Sequence, residues 1–336
     1  MSHGAAILLA KGRGLSIESR TTPTPSPGQI LIHNHAIAIN PADWKMQESD
    51  HFIQSYPTVL GSDVAGVVDS VGADVTRFKP GDRVIGYAAM LITGQPGEGA
   101  FQSFTIVNEI VTTKLPDSMS FEEGATLPMA IGTAGAGIFS NLRVPRTQSS
   151  GGFLVWGASG SVGAATVQVA ASLGYTVFAV CSKRNFDAVK RIGARAAFDY
   201  HESTVVEDVV QAAQSAGVEI KIAYDSISEH GSAPQAAAIL DAFGGGKLCV
   251  VIPYPPDAPK YENVQISHVF ALNVVTKEKE LGAWLFNDWL QTKLHDGSYK
   301  ISPDVQIVGK GLESIQDALE LLKKGVSSKK LVVPLV

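Results

Sequence analysis

At 336 residues the chain can hold one or two domains. A net charge of −5 and a pI near 5.9 argue against a nucleic-acid or anionic-membrane surface as the main partner. The hydrophobic share is 45% against 18% charged, enough for a large core, and 33 glycines suit a loop-rich α/β chain.

Cys181 and Cys249 lie in apolar runs, so a disulfide framework is not expected and a reducing, cytoplasmic setting is. The opening MSHGAAILLAKGRG has too short an apolar run for a secretory signal. The apolar stretch 125–139 is broken by Pro128 and several glycines and falls short of a membrane span.

In chain order, Ala5–Leu9 and Leu15–Glu18 read as short strands around the turn Lys11–Gly14. TTPTPSPG, from Thr21 to Gly28, is a connector. Gln29–Ile39 alternates like a long antiparallel strand. His33 and His35 share one of its faces; no third ligand accompanies them, so an exposed face is expected rather than a metal site. Pro41 forces Asn40 into an extended form, ending the strand with the polar group Asn40, Asp43 and Lys45 at its tip. Further strands are expected to Val71, after Pro80-Gly81-Asp82, and from Gly99 onward, with little helix in this third of the chain. The pattern is a compact, partly barrel-like β domain.

Near Ser120 the composition changes. Phe121–Leu127 is helical, with Ser120 as N-cap and Glu123 at the capping-box position, and 129–142 reads as a second helix. Strands are then expected at Phe153–Trp156, Thr176–Cys181, Ala196–Asp199, Ile220–Asp225, Gly246–Ile252 and Ala271–Val275. Helices are expected at 162–173, 185–192, 203–216 and 232–243. This alternation predicts a doubly wound parallel sheet. Two or three helices follow between Glu280 and Lys324, and Lys330–Pro334 forms a last strand.

The first strand of that series leads into Gly157-Ala158-Ser159-Gly160-Ser161-Val162-Gly163 and then a helix rich in small residues. Glycine permits the tight turn and close approach of a pyrophosphate, and the helix start offers N–H groups and a positive dipole end. A nucleophile elbow is ruled out because Ser161 stands where its last glycine belongs. No tyrosine is followed by lysine four positions later, which excludes a short-chain reductase pair. The second strand ends in Cys181-Ser182-Lys183-Arg184 with no acid before Asp187. A hydroxyl and two cations suit a 2′-phosphate, so NADP(H) is the expected cofactor. Ile252, at the end of its strand, joins the cofactor-lining candidates.

Taken in order, INPADWK (39–45), PTVLGSDVAGVV (57–68), FKPGDRV (78–84), GAFQSF (99–104), ATLPMAIGTA (125–134) and GASGSVG (157–163) resemble the medium-chain dehydrogenase/reductase superfamily. The likeness is to its zinc-free quinone oxidoreductase and enoyl reductase branch. CSKRNFDAVKRIGA (181–194) and the ending GVSSKKLVV look like fungal toxD-like and trans-acting enoyl reductases. The resemblance implies a GroES-like catalytic domain over 1–122 and 280–336, interrupted by a Rossmann NADP(H)-binding domain over 123–279, with the active site in the cleft between them. Zinc-dependent members carry a cysteine near Asn40–Asp43 and a Gly-His-Glu where this chain has Gly61-Ser62-Asp63; neither catalytic nor structural zinc is expected. By the same resemblance Asn40, Asp43 and Lys45 face the nicotinamide end and Thr133 its ribose region. Gly160, Ser161 and Val162 form the pyrophosphate turn, and Ser182, Lys183 and Tyr200 hold the 2′-phosphate and adenine. Trp44 stands where a small or aliphatic residue is usual.

The chemistry these residues point to is hydride transfer to the carbon β to a carbonyl, with Lys45, Thr133 or backbone N–H groups stabilising the oxyanion. The substrate is a small molecule, free or on an acyl-carrier protein, and the protein a monomer or homodimer. Two alternatives remain: quinone reduction with the same cofactor, and a nucleotide-binding protein without turnover that regulates a partner.

Overall fold

The computed structural model describes residues 1–50 and 52–336. The chain folds as two compact units, Met1–Met129 with Leu272–Val336, and Ala130–Ala271.

The first unit is built around the strand Gln29–Ala38, which buries Ile30, Leu31 and Ile32 near its start and Ala36, Ile37 and Ala38 at its end. It pairs antiparallel with Asp63–Val71, with Phe104–Asn108 and with the last strand, Lys329–Pro334. Ser2–Leu8 forms a smaller sheet with Ser16–Thr21 and Thr58–Val59. Ser120 and Glu123 cap Phe121–Ala125 reciprocally, as the sequence predicts. His33 and His35 are half-buried rather than exposed, His33 stacking on Phe104 with ring centres 4.7 Å apart.

A second expectation fails here. The residues after Asn40 are a helix, Pro41–Ser49, not a bare strand end. Asn40 is its N-cap, with extended φ −122° and ψ 153°, Pro41 fills the first position, and Asp43 at the third position accepts from the Asn40 N–H at 2.7 Å. Those are helix-start signals. They were hidden because PADWKMQES has no sustained apolar stripe.

The second unit is a six-stranded, wholly parallel sheet. Its spatial order is Ala194–Phe198, Thr176–Val180, Gly152–Trp156, Ile220–Asp225, Gly246–Val250, Val264–His268. Leu154, Trp156, Phe178 and Val180 pack with the helices Val205–Ser215 and Ser232–Ala242. The alternate residues Phe153, Val155, Val177 and Ala179 are equally buried, and the helix Ser161–Ser172 packs on those two strands. Burial on both faces is what a doubly wound sheet requires. The edge strand is Val264–His268, where no element was expected, and Ala271–Val274 is a 3₁₀ turn, not the strand expected at Ala271–Val275. An isolated apolar run does not by itself distinguish the two.

In the chain's tail, Lys279–Ala283, the π-helical Trp284–Leu290 and Gln291–His295 follow one another directly, and Ile315–Lys324 is separate. Among the described residues no helix is long and apolar enough to cross a membrane.

Candidate active site

In the second unit the strand order reverses between Gly152–Trp156 and Ile220–Asp225: the chain moves outward one way from the first and the other way from the second. Ligands of such sheets bind beyond the strand ends at this switch. The glycine loop lies there. Gly157 has φ +73°, and a side chain on it would meet Ile227 and Ser226. A Cβ on Gly163 would sit 2.2 Å from the Gly157 carbonyl, so the helix start can press on the loop only without one. At Gly160, by contrast, the space is open apart from that same carbonyl 3.4 Å away. Gly160 is the N-cap of Ser161–Ser172 and offers no side-chain cap. The N–H groups of Ser161, Val162 and Gly163 therefore lack intrahelical acceptors. This cradle fits a pyrophosphate.

The neighbouring strand ends carry the other candidate residues. Asn185 Nδ2 donates to Ser159 Oγ at 3.1 Å, and Ser182 Oγ to the Tyr200 hydroxyl at 3.2 Å. Lys183 and Arg184 are exposed, and Tyr200 is tilted over His201. One acid comes close that the sequence reading did not place there: Asp199. Its Oδ2 accepts from the Lys183 N–H at 3.2 Å, and its Oδ1 from the His201 N–H at 3.0 Å and contacts the His201 ring at 2.6 Å. Both oxygens are engaged within the protein. Ile252 follows its strand, half-buried.

Asp225 is the residue that sequence reasoning missed in this unit. Fully buried, it accepts from the Ile227 and Ser228 N–H groups at 2.9 and 3.0 Å and from the Ser232 hydroxyl at 2.6 Å. Burial pushes its carboxyl up from 3.8, against the pull of those donors. The carboxylate thus folds the loop that covers Gly157, and Ser226 Oγ closes it onto the Trp156 carbonyl at 2.7 Å. An acid ending an apolar strand before Ser-x-Ser is the signal that could have found it. Thr133 lies in Pro128–Gly135, 9% exposed, and its carbonyl accepts from the Tyr224 hydroxyl at 2.8 Å.

In the first unit the structure brings Asn40 and Asp43 together and adds two residues to them. Asn40 Nδ2 donates to Asp63 Oδ2 at 2.8 Å, and Lys330 Nζ donates to Asn40 Oδ1. Lys330 and Asp63 form an ion pair at 2.9 Å, 4% and 0% exposed at the side chain. Asp63 Oδ1 accepts from the Met129 N–H at 2.6 Å. Lys45 is not part of this buried group. It stands half-buried on the helix Pro41–Ser49, its ammonium 5.6 Å from the Trp44 ring, with Lys323 at 5.9 Å from the same ring. The two ammoniums give Trp44 a cation–π role in this helix. A lysine pair in a strand, Lys329-Lys330, must point one member inward, so the sequence did carry a sign of the buried cation.

Asp43 is fully buried, and the Gly61 N–H faces its carboxyl. Burial raises its pKa from 3.8 to about 7; the Asn40 N–H and Lys330 oppose the rise, and the charge of Asp63 adds to it. The folded chain therefore keeps a proton that the unfolded chain loses near pH 4. Stability falls as pH rises through the window from about 4 to 7, by at most of order 4 kcal/mol. Asp43→Asn should flatten this slope, so that the variant gains on the parent between pH 5 and pH 8 in denaturant unfolding. An equal difference at both pH values would remove the proton from Asp43.

Known proteins agree with this architecture. The family model of the alcohol dehydrogenase GroES-like domain matches residues 26–117. The chain is 37% identical to the dehydrogenase orsE of Emericella nidulans and 38% identical to the trans-enoyl reductase tndF of Aspergillus flavipes, each match covering 99% of both chains. Among solved structures, the quinone oxidoreductase from Coxiella burnetii superposes with a TM-score of 0.71 at 22% identity, over 100% of both chains. By full-length sequence likeness as well as fold, the chain belongs to the medium-chain dehydrogenase/reductase superfamily, beside fungal dehydrogenases and trans-enoyl reductases.

Proposed function

We propose that the protein is an NADPH-dependent reductase of carbon–carbon double bonds conjugated to a carbonyl, working without zinc. The observation that carries the reading is the glycine cradle at the switch point, opening beside a strand end that offers Ser182, Lys183 and Arg184. The substrate class is supported by the trans-enoyl reductases among the relatives. A zinc-free site is supported by Asp63, whose oxygens are taken by Lys330, Asn40 and the Met129 N–H.

A reduced nicotinamide, when bound, supplies a hydride to the β-carbon of the acceptor. The chain's own part is to hold and polarise. The N–H groups of Ser161, Val162 and Gly163 receive the pyrophosphate, and Ser182, Lys183 and Arg184 receive the 2′-phosphate. Lys45 places a positive charge where the carbonyl oxygen becomes negative, and Asn40 and Asp43 fix the start of its helix. The α-carbon then takes a proton, from solvent or a side chain, to complete the saturated product.

The test is NADPH oxidation by the purified protein against enones, enoyl thioesters, quinones and aldehydes. Consumption with enones or enoyl thioesters, with saturated product formed, is the expected result. Turnover of quinones alone would move the protein to the quinone reductases, and none with any acceptor would leave a nucleotide-binding protein. Removing the exposed ammonium in Lys183→Ala should weaken NADPH binding about tenfold and leave NADH binding unchanged. Equal affinity of the parent protein for the two cofactors would refute the 2′-phosphate assignment.

A further inference from the structure

Lys330 comes from the chain's last strand and Asn40 from the N-cap of the helix that carries Lys45, yet the two are hydrogen-bonded in the interior. Their chemistry allows one arrangement. An ammonium only donates, so it selects Asn40 Oδ1. A carboxylate only accepts, so Asp63 Oδ2 selects Asn40 Nδ2 at 2.8 Å. The amide cannot flip while both neighbours keep their charges. Asp63 is itself fixed from two sides, by Lys330 at 2.9 Å and by the Met129 N–H at 2.6 Å. The Asn40 backbone is held as well, by its N–H to Asp43 and by its carbonyl, which accepts from the Asp43 N–H at 3.0 Å. The helix start is thus gripped at backbone and side chain alike, and Lys45 stands little more than one turn beyond it.

From this geometry, and resting on the assignment of Lys45 above, we propose that Lys330 is a positioning residue for the reduction: with Asp63 it clamps Asn40 and so aims the helix Pro41–Ser49, and with it the Lys45 ammonium. Nothing in the sequence reading gave Lys330 a role. The clamp explains why a lysine is buried at this point of a strand whose neighbours Leu331, Val332 and Val333 are all apolar. Misplacing a catalytic group by about 1 Å costs up to about 100-fold in rate, so a clamp of this kind has kinetic weight.

The test uses the full-length protein with Lys330→Met and Asp63→Asn combined, which removes both buried charges together and avoids an unpaired carboxylate. The substituted amide at position 63 and the lost ammonium release Asn40 from its single orientation. In the double variant kcat for the acceptor that the parent reduces should fall about tenfold or more, with the NADPH dissociation constant, read by fluorescence, unchanged. Amide exchange in the last turns of Pro41–Ser49 should quicken about tenfold. In a Lys45→Ala background the same pair of substitutions should lower kcat no further, because both act through one ammonium. Unchanged kcat and exchange in the double variant, or losses that multiply with Lys45→Ala, would overturn the clamp. A parent protein that fails to oxidise NADPH with any of the acceptors would instead defeat the functional reading, and the exchange data would still decide whether the clamp holds the helix.

Discussion

Lys330→Met alone should destabilise the protein by about 3–5 kcal/mol. The substitution keeps the volume of the stem and removes only the ammonium. What remains is the Asp63 carboxylate, 0% exposed, with one N–H from Met129 and one from Asn40 and no counter-ion. An unpaired charge in the interior is far costlier than the pair was beneficial, so adding Asp63→Asn should recover most of the loss. Denaturant unfolding of the single and double variants measures both quantities. A single variant as stable as the parent would mean that Asp63 reaches water or another donor at little cost.

Lys45→Ala should lower turnover on an enone or enoyl thioester about 100-fold, with NADPH binding intact. The ammonium is held near the Trp44 ring rather than sunk into the core, so stability should change little. Quinone reduction should fall less, because a quinone oxygen accepts negative charge with less help. Steady-state kinetics on both acceptors read the contrast. If enone turnover is unaffected, backbone donors or Thr133 take over the oxyanion assignment.

Much of this architecture was legible because it is periodic or local. The glycine loop sits between a fully apolar strand and a small-residue helix, and five of the six expected strands of the second unit are present at or near their predicted places. The sixth was misplaced because the edge strand Val264–His268, which reads VQISH, is half polar, and the apolar ALNVV beyond it looked the better candidate. The helix Pro41–Ser49 was missed because only capping chemistry, not an apolar stripe, announces it. The buried clamp was out of reach for another reason. Lys330 and Asn40 are 290 positions apart, and no local pattern ties a lysine in one strand to an asparagine ending another. Asp225 had only a short local sign, an acid before Ser226-Ile227-Ser228, and its main partners there are backbone N–H groups.

That same separation has a consequence for synthesis. Every strand of the second unit lies between Ala130 and Ala271, so that unit can assemble while the ribosome is still working. The first unit cannot. At about 5–20 residues per second, roughly 15–60 s pass between the emergence of Asn40 and that of Lys330. Throughout that interval Asp63 has no cation to meet it, and the strand Gln29–Ala38 lacks its neighbour Lys329–Pro334. The half-built sheet presents an open edge to water or to a chaperone, and the arrival of the last strand, bringing Lys330 with it, closes it.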